Sequence, residues 1–120
     1  MMITRVQKYS KDVDLLVHSA ISIDIVARMR KLAPIPQMDK ILLDIQDYHT
    51  SIKEAGEIAR DANVKHLLIY HSIPTPRNTL MERVFFRPIE GIFDDYTLSD
   101  DGTRVVMPVG NNEIVIDKIN

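Results

Sequence analysis

Residues 47–77 read DYHTSIKEAGEIARDANVKHLLIYHSIPTPR, and this stretch decides how the rest of the chain is organised. Ser51 and Glu54 form the S-x-x-E pattern of a capping box, in which the serine hydroxyl accepts a helical N–H and the glutamate accepts the N–H of the serine. The pattern predicts a helix that ends at Asn63, a residue type that tolerates the left-handed conformation. Apolar residues recur at helical spacing over this segment: Ile52, Ala55, Ile58, Ala59 and Ala62.

The apolar run after this helix predicts a buried strand over residues 66–70. His71 follows directly, and the Ser-Ile-Pro-Thr-Pro sequence after it disfavours continuation of either strand or helix. Open α/β sheets bind ligands at the carboxyl ends of their strands, which is where His71 is expected. His49 precedes the helix, at the end whose free N–H groups favour anions. These two histidines are the first candidates for a site.

Composition narrows the class of protein. A length of 120 residues predicts one domain over residues 1–120, and a net charge of -2 argues against a nucleic-acid partner bound through bulk charge. The chain has no cysteine, so a metal would need histidine and carboxylate ligands. No apolar run approaches the roughly 20 residues of a membrane span, and the first residues lack a signal-peptide core. We therefore expect a cytoplasmic protein without a membrane partner.

The chain before residue 47 predicts a strand and two helices. The strand covers residues 13–17 and exits into His18, and the helices cover residues 23–32 and 38–47. If this strand lies parallel to the one at residues 66–70, His18 and His71 meet at the same edge of the sheet. Three methionines at apolar positions are expected in the core: Met29, Met38 and Met81.

The chain after residue 77 changes character. A short helix is expected to end at Pro88, and three apolar runs follow over residues 91–98, 103–109 and 114–116. The Asp-Gly pair at residues 101–102 is a hairpin signal. The predicted fold is α/β (α+β), with one mixed sheet covered by helices and an antiparallel meander at the end.

Three histidines, His18, His49 and His71, are expected in loops at one edge of the sheet. Imidazole binds Zn, Fe and Mn and acts as a general acid near neutral pH. Each of the three is also compatible with an ordinary hydrogen-bonded loop residue, because they lack the close spacing of a metal motif. His66, at the start of a strand, is expected to be structural or exposed. The nearby carboxylates fit a solvated helix end as well as a site: Asp14, Asp44 and Asp47.

Three segments, DVDLLVHSA, DYHTSIKEAGEIARDANVKHLLIYHSIP and TLSDDGTRVVMPVG, resemble the C-terminal half of metallo-β-lactamase-fold hydrolases, nearest to the ribonuclease Z and arylsulfatase-like branch. The resemblance spans residues 6–110. It implies half of a four-layer αββα sandwich, with the sheet face that meets the other half left as an exposed apolar patch. Such patches mark interfaces, so we expect a homo-oligomer or pairing with a missing N-terminal half.

The resemblance also implies roles for the histidines. His71 corresponds to the last metal-binding histidine of the family, and His49 to the loop histidine that assists proton transfer to the leaving group. His18 corresponds to the histidine of the H-E-A-T motif. Ser19 stands in place of that motif's glutamate, and a serine supplies no negative charge to hold an imidazolium.

The family binds its two metal ions mainly through an H-x-H-x-D-H loop, another histidine and a bridging aspartate. This chain contains no H-x-H-x-D-H sequence. A catalytic zinc needs about three protein ligands, so this chain alone is expected not to hold a dinuclear zinc, iron or manganese centre. The first hypothesis is therefore an incomplete hydrolase for phosphodiester, sulfate ester or related bonds, inactive by itself. The alternative is a non-catalytic, self-associating α/β module of unknown ligand. An unrelated small α/β binding protein is a third interpretation.

Overall fold

The structure is a computed structural model that describes residues 2–119, without the side-chain surroundings of residues 2–4, 47 and 48. Within these residues, helices separate three strands over the first 98 residues, and two antiparallel strands follow. The helices are α1 (Met2–Tyr9), α2 (Ile23–Lys31), α3 (Pro36–Tyr48), α4 (Ile52–Asp61) and α5 (Thr79–Phe86), with a 3₁₀ turn at Arg87–Ile89. The strands are β1 (Leu15–Ile21), β2 (His66–Ile73), β3 (Tyr96–Leu98), β4 (Thr103–Val106) and β5 (Val115–Lys118).

The main sheet has three parallel strands in the order β1-β2-β3. Parallel strands need crossover connections, which are supplied here by α2 to α4 between β1 and β2 and by α5 between β2 and β3. β2 is the central strand, and three consecutive residues in it are buried, Leu67, Leu68 and Ile69. The parallel β1–β2 pair confirms the arrangement on which the expected histidine edge depends.

Helix α4 covers one face of this sheet. Its apolar stripe packs with Leu67 and Ile69 of β2 and with the aromatic residues of α5 in one core cluster. Gly56 of α4 allows close approach, because a Cβ at this position would overlap the buried side chain of Ile89. Asn63 follows the helix with a φ of 55°, as the sequence predicts.

The predicted α/β (α+β) class is confirmed, whereas the expected single mixed sheet ending in a meander is wrong. β3 pairs parallel with β2, while β4 and β5 form a separate antiparallel sheet of two strands. The reason is packing: Tyr96 of β3 stacks on Phe86 with ring centroids 4.4 Å apart, and the N–H of Ser99 donates to the carbonyl of Ile69. The Asp-Gly turn signal is local and does not determine which strands pair across it.

Helices α2 and α3 follow one another in the chain, and α3 packs mainly on α2. Ser22 caps α2 by accepting the N–H of Ile25 at 3.3 Å, and Pro36 occupies the first turn of α3, where its missing N–H costs nothing. A small second cluster joins this pair to β1. Two methionines expected in the core are instead exposed, Met29 by 39% and Met38 by 42%, whereas Met81 packs against the main core.

Candidate histidine site

The His49 loop is attached to the end of β1. The N–H of Ile21 donates to the carbonyl of Thr50 at 2.9 Å, and Ile21 forms an isolated parallel bridge with Ser51. Ser51 then caps α4 through the predicted capping box: the N–H of Glu54 donates to Ser51 Oγ at 3.1 Å, and the N–H of Ser51 donates to Glu54 Oε1 at 3.2 Å. His49 is therefore held between the end of α3 and a capped helix start.

His71 lies inside β2, which continues to Ile73, and not just past the end of the strand as the sequence predicts. The strand is irregular at this point. Ser19 of β1 pairs with Tyr70 and Ala20 pairs with Ser72, so His71 is the extra residue of a β-bulge. Its φ is 48°, in the left-handed region that costs an L-residue about 1 kcal/mol. Bulges re-aim a side chain and often lie beside functional sites.

The loop and the bulge bring two of the three candidate histidines together. The ring centroids of His49 and His71 lie 5.6 Å apart with their planes inclined by 39°. His49 is half-buried and His71 is exposed. Two imidazoles bound to one tetrahedral ion through nitrogens about 2 Å from the metal would have centroids about 5 Å apart. The observed separation is therefore suited to a shared metal ion or to a shared anionic or polar group.

His18 does not belong to this pair. The sequence places it in a loop at the exit of β1, but β1 extends to Ile21 because it pairs with β2 as far as Ile73. His18 is a half-buried strand residue opposite Ile69. Its Nδ1 lies 2.7 Å from the carbonyl oxygen of Ser19. A carbonyl only accepts, so Nδ1 carries the proton in this contact.

His66 has a structural environment, in agreement with its predicted role. Its Nε2 lies 2.8 Å from Oγ1 of Thr97 on the neighbouring strand β3. Burial lowers the pKa of His66 below its usual value, and the nearby carboxylate of Asp95 opposes this effect more weakly. A neutral imidazole on the sheet is thus favoured near neutral pH.

The candidate ligands among the described residues are too few for a complete metal centre. Within the described residues there is no group of three or more His, Cys, Asp or Glu side chains suited to hold a metal ion. Of the candidate carboxylates, the side chain of Asp47 lies outside the described residues, and Asp14 forms an ion pair with Lys65 at 2.8 Å. His49 and His71 together would supply at most two imidazole ligands, and a zinc centre needs about three from protein.

One cleft, which lies away from the histidines, was not predicted from the sequence. A cleft of about 290 Å³ lies between α5 and β3, and its lining includes Phe86, Tyr96 and the carboxylates of Glu82 and Glu90. Burial raises the pKa of the Tyr96 hydroxyl, and the surrounding carboxylates raise it further. The stacking of Tyr96 on Phe86 forms the cleft's aromatic wall. No sequence spacing marks it, because it depends on the parallel placement of β3.

The chain matches no model of a known protein family, and a search of curated proteins finds no match either. No helix within residues 2–119 combines the length and the apolar character that a membrane crossing requires. The two features that bear on function are the geometry of the His49–His71 pair and the surfaces that the fold leaves uncovered.

Proposed function

We propose that this chain is the C-terminal half of a metal-dependent hydrolase of metallo-β-lactamase fold, acting in the cytoplasm. The observation that carries the proposal is the His49–His71 pair, with ring centroids 5.6 Å apart at the carboxyl end of a parallel β1–β2 pair. Two imidazoles from different segments converge there, and the described side chains include no group of three that could hold a metal ion. The remaining ligands would come from another polypeptide segment, so the isolated chain is inactive.

His71 would be the metal ligand of this half, and the metal, zinc, iron or manganese, would polarise the bond to be hydrolysed and activate water. His71 is exposed and held by the bulge, so its ring can reach a metal on an incoming segment. His49 is half-buried beside it and can hold a proton at a ring nitrogen for the leaving group. His18 would position the site from β1. Its Nδ1 is already engaged by the Ser19 carbonyl, which leaves Nε2 as its only free nitrogen.

The open face of the sheet also supports this proposal. Parallel sheets are generally covered on both faces. On the face opposite α4, Leu68 is buried, but Val17 of β1 is 48% exposed and Tyr70 of β2 is 49% exposed. Both point away from α4, since they alternate with Leu16 and Ile69, which belong to the core. This face is where the missing half would pack. Phosphodiester, sulfate ester and related bonds are the substrate class.

The experiment begins with the coding region next to this chain, where the proposal requires a segment carrying H-x-H-x-D-H. The two polypeptides are co-expressed and gel-filtered, and their metal content and hydrolysis of bis-p-nitrophenyl phosphate and p-nitrophenyl sulfate are measured. We expect hydrolysis and metal that survives gel filtration in the complex, and neither of these in the isolated chain. His71→Ala should remove hydrolysis from the complex, whereas Tyr9→Ser, at a distant exposed position, should not. A complex that forms without metal would refute the proposal.

A non-catalytic, self-associating module is the second candidate. The observation that favours it is the exposure of apolar side chains on α3, where Ile41 is 59% exposed. This candidate predicts a stable oligomer whose assembly is unchanged when both His49 and His71 are replaced by alanine. If no neighbouring segment carries the metal ligands, this second function is the one to retain.

A further inference from the structure

Helix α3 packs on the chain through Leu42 and Ile45 and leaves apolar side chains exposed on either side of them, with Leu43, 43% exposed, on the side opposite Ile41. Among the α3 residues whose burial the structure describes, Leu42 alone is buried. Met38 is 42% exposed and Ile41 is 59% exposed. The connection from α2 adds Leu32 and Ile35, which are 82% and 50% exposed. We call Leu32, Ile35, Met38 and Ile41 the α2–α3 patch.

The whole chain exposes more surface than a compact protein of its mass. A folded monomer of 13.8 kDa is expected to expose about 6,600 Å². This chain exposes 8349 Å², a surplus of about 1,700 Å². Its radius of gyration is 15.5 Å, against about 14 Å for a compact chain of this length. One partner of a standard interface buries about 800 Å², so the surplus is large enough for two interfaces.

The charges beside the patch are arranged for a two-fold pairing. Lys40 and Asp44 lie one turn apart on α3, along the same edge of the stripe formed by Met38 and Ile41. Neither forms an ion pair with another residue of the described chain. Two antiparallel copies of α3, related by a two-fold axis at the level of residue 42 along the helix, bring each Lys40 opposite the Asp44 of the other copy.

We propose that two copies of this chain dimerise through α3, packed antiparallel about a two-fold axis at the level of residue 42 along the helix. Met38 and Ile41 form the apolar centre of the interface, and two Lys40–Asp44 pairs border it. This contact leaves the sheet face of Val17 and Tyr70 open for another segment. It needs no metal and does not involve His49 or His71, so it is independent of the hydrolase proposal.

The test is sedimentation equilibrium of the full chain in EDTA. We expect the wild type to be a dimer and Ile41→Glu to raise the dissociation constant at least about tenfold, since a charge would enter the apolar centre. The matched control is Tyr70→Glu, a similarly exposed position on the sheet face, which should leave the dimer unchanged. Circular dichroism and thermal unfolding of both variants check that the fold is kept.

A charge exchange makes the geometry specific. At low salt, Lys40→Glu and Asp44→Lys should each weaken the dimer, and the double variant should restore the wild-type dissociation constant. Non-restoration would overturn the antiparallel two-fold arrangement. A wild type that stays monomeric at about 1 mM, or a dimer dissociated by Tyr70→Glu and not by Ile41→Glu, would overturn the α3 interface. The hydrolase proposal is tested by metal content and by His71→Ala, and the dimer is tested by sedimentation in EDTA. Failure of one proposal is therefore distinguishable from failure of the other.

Discussion

The imidazole rings of His49 and His71 lie 5.6 Å apart between centroids, although one belongs to the end of a helix and the other to a β-bulge. We predict that the isolated chain binds Zn²⁺ weakly through this pair. Isothermal titration calorimetry should show at least about a tenfold loss of affinity for His49→Ala and for His71→Ala. His66→Ala is the matched control, because His66 is hydrogen-bonded on the sheet. Equal loss in all three variants would contradict the paired site.

Removing the cap of α4 should destabilise the chain. Ser51→Ala removes the acceptor for the N–H of Glu54, and we expect the free energy of unfolding to fall by about 1 kcal/mol. Urea denaturation measures it. Ser51→Thr keeps a hydroxyl and should recover most of the loss. If alanine and threonine variants were equally unstable, the capping hydrogen bond would not be the cause.

Gly56 should not tolerate even one added methyl group. In an ordinary helix, glycine to alanine is stabilising by about 1 kcal/mol. Here the new Cβ would overlap Cγ1 of Ile89 and lie 2.9 Å from its Cδ1, in a fully buried side chain, so we expect Gly56→Ala to destabilise by about 1–3 kcal/mol. In urea denaturation, the same substitution should cost less in an Ile89→Ala background. An unchanged cost would show that the overlap with Ile89 is not responsible.

His66 should make stability depend on pH. Burial holds the pKa of His66 below 6.5 in the folded chain, so the unfolded chain takes up this proton at a higher pH. Its contribution to stability is full above about pH 6.5 and is lost as the pH falls towards the folded pKa. Between about pH 7.5 and about pH 5.5, the free energy of unfolding measured by urea denaturation should fall less for His66→Gln than for the wild type. An identical loss would assign the effect to other groups.

Local patterns predicted most of the helices and the two long strands. The capping box, the apolar stripe and Asn63 specify α4 within a few residues, and the α4 helix forms as predicted. Strand ends were harder to predict, because they depend on what lies beside them. β1 continues to Ile21 because its last residues pair with β2 as far as Ile73, and His18 is a strand residue because it pairs with Ile69.

The proximity predicted for His49 and His71 is confirmed, the loop position predicted for His18 is wrong, and the joint site itself stays a prediction. Nothing in the sequence marks the bulge at His71, because a bulge exists only relative to the neighbouring strand. The pairing of β3 was missed for a similar reason: contacts of Tyr96 and Leu98 with the core outweigh the local turn signal. The metallo-β-lactamase resemblance and the roles derived from it stay predictions.

The backbone at residues 21 and 22 supports both halves of the histidine pair. The N–H of Ile21 donates to Thr50, next to His49, and the N–H of Ser22 donates to the carbonyl of Ile73, two residues beyond His71. The separation of the two imidazoles is thus set by a segment that contributes no side chain to them. A proline at position 21 or 22 would remove one of these donors, and the histidines would move apart with both rings chemically intact.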